Sequence, residues 1–215
     1  VDDIQIKTLY APYLTTAFQR CPRLWDYGRR WEGKDWNGNT AVLVGRAVAL
    51  GLETFYLTSG DPLEKASQLV ESEYAEDSDR SLEGVHELVR RGIKHGTKTD
   101  LGIKTILGVE RAYGRIRPDF VGRRADGSIV VIDHKVKMSL DDRYKEKELL
   151  KFDTDNQMFQ YAWAVAQEHG EPVKEVIIHL IVLAPRVYTE LHPIPINQVH
   201  LVQWLDGVRK DWDDM

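Results

Sequence analysis

Apolar residues recur at helical spacing over the first hundred residues and at alternating spacing after them. Tyr13, Leu14, Phe18, Cys21, Leu24 and Trp25 mark one face of an opening helix, with Arg20, Arg23, Arg29 and Arg30 between and after them. A second helix is predicted over residues 40–55 through Val42, Val44, Val48, Leu52 and Phe55, and two more over 63–74 and 82–93, with the acidic stretch 71–79 between them. Residues 115–124 and 128–137 read as two strands joined by Ala125-Asp126-Gly127, a tight-turn signal. A polar loop with Asp141, Asp142 and residues 145–148 follows. Then come a helix over 153–168, a buried strand over 176–183, a shorter strand over 187–191 and a closing helix from about Asn197. Helices, a hairpin, and a helix feeding a further strand predict an α/β fold on a mixed sheet, with 1–100 mainly helical, 101–215 forming the sheet core, and the whole chain as one domain.

Composition narrows the class. The 215 residues, 42% hydrophobic and 29% charged, suffice for one sizeable core. No apolar run approaches the ~18 residues of a membrane span, and the N-terminal Val1-Asp2-Asp3 lacks the marks of a signal peptide. Cys21 is the single cysteine, which excludes an internal disulfide and points to a helix-packing role. The expectation is a soluble, cytoplasmic domain with no membrane partner; the absence of an initiator Met leaves trimming or excision from a larger chain open. The net charge of −5 argues against a general nucleic-acid coating protein. Its distribution is uneven: residues 101–150 hold 11 basic and 8 acidic side chains, whereas 151–215 hold 5 and 10. A solvated face accounts for such a count as readily as a binding surface does.

The hairpin carries the chemistry. Asp133 ends a run of β-branched residues, and Lys135 lies two positions on, so both project from one face of a strand. An antiparallel neighbour can bring Asp119 beside Asp133. Two carboxylates aimed at one point repel unless a proton or cation sits between them, and hard oxygen ligands suit Mg²⁺ or Mn²⁺. A surface Asp-x-Lys pair at a strand end is the plain alternative.

Pro118-Asp119, 13 intervening residues and then Asp133-His134-Lys135 resembles the PD-(D/E)xK nuclease superfamily. Gln157-Met158-Phe159-Gln160-Tyr161 resembles the Gln-x-x-x-Tyr motif of its RecB-like branch, which includes helicase-linked nuclease domains, CRISPR-associated adaptation nucleases and phage exonucleases. Cys21-Pro22-Arg23 is similar to the opening helix of that branch. Gly45-Arg46-Ala47-Val48-Ala49 with trailing Glu53 is similar to its Gly-x-x-x-His helix. The blocks follow the family's order over residues 11–165.

The resemblance implies a mixed sheet flanked by helices and a Mg²⁺- or Mn²⁺-dependent deoxyribonuclease, exonuclease before endonuclease, in DNA repair, recombination or phage DNA processing. It implies Asp119 and Asp133 as metal ligands with the His134 carbonyl, Lys135 orienting the attacking water, and Gln157 and Tyr161 steadying the phosphate or the lysine. Arg20, Arg23, Arg46, Arg115 and Arg117 are candidates for DNA phosphates, and a helicase, recombinase or phage replication protein is a candidate partner. Two departures stand out. Ala49 occupies the position of a metal-binding His, so Glu53, one turn on, is the candidate replacement, with Gly45 expected to let this helix approach closely. With Cys21 alone, the iron–sulfur cluster of some relatives cannot form. A binding module without hydrolysis, or an assembly subunit with the same fold, is the alternative.

The remaining histidines, His86, His95, His169, His179, His192 and His200, read as structural, and His134 is expected to point away from Asp133 and Lys135. Glu110 is within reach of the site or a surface charge; Trp31 and Trp36 are candidates for strand contacts.

Overall fold

The computed structural model describes residues 40–75, 78–114 and 116–213. The opening helix with Arg20, Cys21 and Arg23, the tryptophans Trp31 and Trp36, and Arg115 lie outside the described residues. Helices α1 (Thr40–Leu57), α2 (Pro62–Glu73) and α3 (Leu82–Gly96) come first. They are followed by β1 (Thr105–Val109), β2 (Phe120–Arg123), β3 (Ile129–Ser139), α4 (Asp142–Leu150), α5 (Asn156–His169), β4 (Val173–Ala184), β5 (Tyr188–Pro195) and α6 (Gln198–Asp213). The sheet runs β1-β2-β3-β4-β5; β3 and β4 are parallel and every other pair is antiparallel.

Period-2 alternation sorts the strand residues into two layers. On one face Val121, Ile129, Val131, Val176 and Ile178 pack against Met158, Ala162 and Val165 of α5 and Leu201 and Leu205 of α6. On the other, Ile181 and Leu183 join Val44, Val48 and Leu52 of α1 and Val89 and Ile93 of α3. A Cβ at Gly92 would stand 2.7 Å from Val48 Cγ2, so the bare backbone of α3 is what lets α1 lie so near. Gly45 does not serve the close approach expected of it: among the described residues, a Cβ there meets nothing within 4 Å. Helix α1 has 18 residues and a mean hydropathy of 1.4, so the sequence does hold one stretch long and apolar enough for a span. Its Val44, Ala47, Val48 and Leu52 are instead fully buried in the core between α2, α3 and the sheet.

Four elements differ from the sequence reading. β1 forms where no strand was expected. The strand expected over 115–124 begins only at Phe120, because Pro118 has no N–H to donate to the ladder. The polar loop at 142–150 is α4: Asp141 caps it by accepting from the Arg143 N–H, and Leu149 is buried beneath it against Leu180 and Val182. The helix expected over 153–168 is divided, a 3₁₀ turn at Phe152–Thr154 preceding α5, because Asp155 caps α5 through the Gln157 N–H. The tight turn holds as read: Gly127 has φ 85°, and Asp126 accepts from the Ser128 N–H.

Candidate active site

Asp133, 1% exposed, and Lys135 project from the α5 face of β3, as the i, i+2 spacing dictates. Lys135 Nζ stands 2.8 Å from Asp133 Oδ2 and donates to Gln157 Oε1 at 3.1 Å. Gln157 Nε2 reaches Tyr161 Oη at 2.6 Å, one turn along α5, and the Tyr161 hydroxyl faces back to Asp133. The four side chains therefore close a ring that joins the strand to the helix. The cap at Asp155 sets where α5 starts, and so which residue meets Lys135.

Asp119 sits one residue before β2. Its Oδ2 accepts the His134 backbone N–H at 2.7 Å, taking the place of a ladder partner where β2 has not yet begun. N–H and C=O of one strand residue point to the same edge, so the His134 carbonyl faces this side as well. Burial, then the neighbouring Asp133, push the Asp119 carboxyl up to about 8, against the opposing pull of the His134 N–H. Burial also raises Asp133, while Lys135 and the Tyr161 hydroxyl oppose the rise. Burial alone would lower Lys135; the carboxylates of Asp133, Asp119 and Asp155 more than offset it, and the ammonium is held charged. Tyr161 is raised by burial and by both aspartates, so it stays a neutral donor.

Glu110 belongs to this cluster, although its spacing from Asp119 left it undecided between site and surface. It follows a register shift in β1, adopts φ 47° and donates its N–H to the Asp119 carbonyl at 2.9 Å. A non-glycine residue there is held in a strained conformation that aims its side chain inward. Burial raises its carboxyl, and Glu53 and Asp133 add to the rise against Arg117, whose Nε donates to Glu110 Oε2 at 2.6 Å. Glu53 is thus within electrostatic reach, whereas Arg46 points to α2 and pairs with Glu73. Asp155 is the residue the sequence reading missed; the signal was an Asp two residues before Gln157, a helix-capping pattern.

Among the described residues no three His, Cys, Asp or Glu side chains stand close enough to form a metal cage as they are. The donor set nevertheless fits a hard divalent cation. Asp133 Oδ2 is buried and receives no well-aligned hydrogen bond, and Asp119 beside it is ionised only against burial and repulsion. Asp119, Asp133 and the His134 carbonyl are the groups that would hold such an ion, with Glu110 or Glu53 to complete the shell.

Residues 12–215 match the family model described as the PD-(D/E)XK nuclease superfamily. A solved structure of a candidate exonuclease from Eubacterium rectale is similar over 100% of this chain and 85% of its own, with a TM-score of 0.51 and 14% identity. The structure of a protein designated SSO0001 aligns over 92% of this chain and 83% of its own, with a TM-score of 0.30 and 14% identity. No curated protein matches the sequence.

Proposed function

This chain belongs to the PD-(D/E)XK nuclease superfamily, and on that premise we propose that it is a divalent-metal-dependent deoxyribonuclease that degrades DNA from its ends. The observation that carries the reading is the ring of Asp133, Lys135, Gln157 and Tyr161 set against the buried Asp119. Nucleases of this superfamily use divalent ions such as Mg²⁺, which polarise a phosphoryl oxygen and make a bound water more acidic. Asp119 and Asp133 supply the anionic oxygens for that ion. Lys135, kept protonated, orients the attacking water and offsets charge developing at phosphorus. Gln157 fixes the ammonium through its carbonyl oxygen, and its amide N–H₂ meets Tyr161, so the pair holds Lys135 on the reaction line. Arg117 can leave Glu110 for a backbone phosphate, and Arg20, Arg23, Arg46 and Arg115 are further candidates. Such contacts add salt-sensitive affinity without sequence choice.

The exonuclease reading draws on the Eubacterium rectale structure, the cytoplasm is the compartment that suits it, and a helicase, recombinase or phage replication protein is the class of partner. A second reading, a DNA-binding module without hydrolysis, is favoured by Ala49 and by the lack of a three-side-chain cage among the described residues. End-labelled single- and double-stranded DNA, each with Mg²⁺, Mn²⁺ or excess chelator, tests both. Metal-dependent release of mononucleotides from an end is expected. Full activity in chelator overturns the metal reading, and salt-sensitive binding without cleavage in either metal favours the second.

A further inference from the structure

The His134 ring, carried between Asp133 and Lys135, turns to the opposite face of β3. Tyr56 of α1 stacks on it, 5.8 Å between ring centroids and 10° between planes. His134 Nδ1 lies 2.9 Å from Nδ1 of His179, its register partner on β4. His179 Nε2 reaches Thr99 Oγ1 at 3.2 Å, and Thr99 in turn donates toward Thr189 Oγ1 of β5 at 2.9 Å and the His95 carbonyl of α3 at 3.3 Å. This polar chain crosses three strands inside a layer otherwise filled by Ile132, Ile177 and Ile181.

The protons along it follow from counting donors. Thr99 has one hydroxyl proton, directed at Thr189 or His95, so it accepts from His179 Nε2–H. His179 Nδ1 is then a lone pair, and His134 Nδ1–H donates to it. Burial lowers His134 to about 3 and His179 to about 4, so both rings are neutral near pH 7.

We propose that His179 is a positioning residue for the metal site. Through the His134 ring it holds the β3 backbone so that the His134 N–H stays on Asp119 and the His134 carbonyl faces the space beside it. The inference rests on the nuclease reading. Its physical basis is that β2 pairs with β3 only as far as Phe120↔Ile132, so no ladder bond fixes residue 134 on that edge. The ring is fixed instead, by a hydrogen bond at Nδ1 and a stacked tyrosine. Without His179 a buried imidazole N–H is left unpaired, and residue 134, held by β4 on one edge, keeps on the other only the Asp119 bond to its N–H.

Calorimetric titration of Mn²⁺ into the full chain without DNA, alongside melting in chelator and nuclease rate, tests this. His179→Leu is expected to weaken Mn²⁺ binding about tenfold, the lower end for a lost outer-shell partner, with the rate at fixed metal falling in step. His179→Gln, whose amide both accepts and donates, is expected to retain most of the affinity. Should His179→Leu not fold, Thr99→Val, which keeps both imidazoles and removes the acceptor of His179 along with the Thr99 bonds to Thr189 and His95, is expected to show a smaller loss of affinity. A variant that melts earlier yet binds Mn²⁺ like the wild type overturns the proposal and leaves a packing role. A wild type that binds no Mn²⁺ overturns the metal reading itself, a result distinguishable from the first.

Discussion

Asp133, Lys135 and Lys137 on one face of β3, and His134, Val136 and Met138 on the other, meet burial in opposite ways. On the α5 face the carboxylates keep their charge only with help. Lys135 neutralises Asp133 in part, one Asp133 oxygen stays without a well-aligned hydrogen bond, and Asp119 is driven toward its protonated form. On the α1 and α3 face the two histidines shed charge altogether and satisfy each other as neutral donor and acceptor. One strand thus carries a face left electrostatically unresolved and a face that carries no charge, where the buried His134 Nε2 is the polar atom left without a partner. The unresolved side is where a cation and a charged substrate gain most, because their binding relieves repulsion already present.

The contrast breaks most sharply at the charged face. Asp133→Ala or Lys135→Ala is expected to remove roughly 100-fold or more of the turnover, the scale for one lost electrostatic or proton-handling group. Melting of Asp133→Ala in chelator should be no lower than that of the wild type. Near wild-type turnover in a steady-state assay would place the chemistry elsewhere.

Gln157→Leu keeps the volume and removes the acceptor that steadies Lys135. A loss of about tenfold in kcat with little change in KM is expected, the scale of one hydrogen bond to a charged group. An unchanged kcat would mean that Lys135 needs no such guide.

The shell around the ion comes next. Glu110→Gln is expected to weaken Mn²⁺ binding several-fold, and Ala49→His to strengthen it and raise turnover, both read by calorimetry. Unchanged affinity in Ala49→His would show that this face of α1 does not look at the site.

The smallest effects are in stability, and the two faces should move it in opposite directions with pH. Asp119 is raised from its ordinary carboxylate value to about 8, so its folded form binds a proton more tightly than its unfolded form. Metal-free stability from this group is present at low pH and lost as pH rises between roughly 4 and 8. His134 and His179 are lowered, so their contribution is present above about 6.5 and lost as pH falls toward 4 and 3. In chelator, the melting advantage of Asp119→Asn over the wild type should widen steadily from pH 4 to pH 8. A constant gap would mean that Asp119 is not the group strained by burial.

Legibility in the sequence followed the same division. Asp133 with Lys135, and Gln157 with Tyr161, are local spacings of two and four, so their shared faces follow from strand and helix geometry alone. Glu110 and Asp155 reach the site through a register shift with a left-handed residue and through a helix cap, which depend on where neighbouring elements stop. Helix α4 escaped because its exposed Lys and Glu residues give no apolar stripe, although they favour helix and bury Leu149. The His134–His179 contact joins residues that only the β3–β4 register brings opposite one another.

That parallel register also sets a timetable. Asp133 is matched to Ile178, and α4 and α5 lie on the crossover between the two strands, so the ring that includes Gln157 and Tyr161 belongs to long-range closure. Loop entropy must be met before those contacts repay it, which makes such pairings slow to form. A nascent chain that has emerged only as far as α4 already holds Asp119, Asp133 and Lys135, yet lacks the strand and helix that align them. During synthesis the candidate site is therefore assembled late, and a truncated or partly unfolded copy lacks the ring that joins β3 to α5.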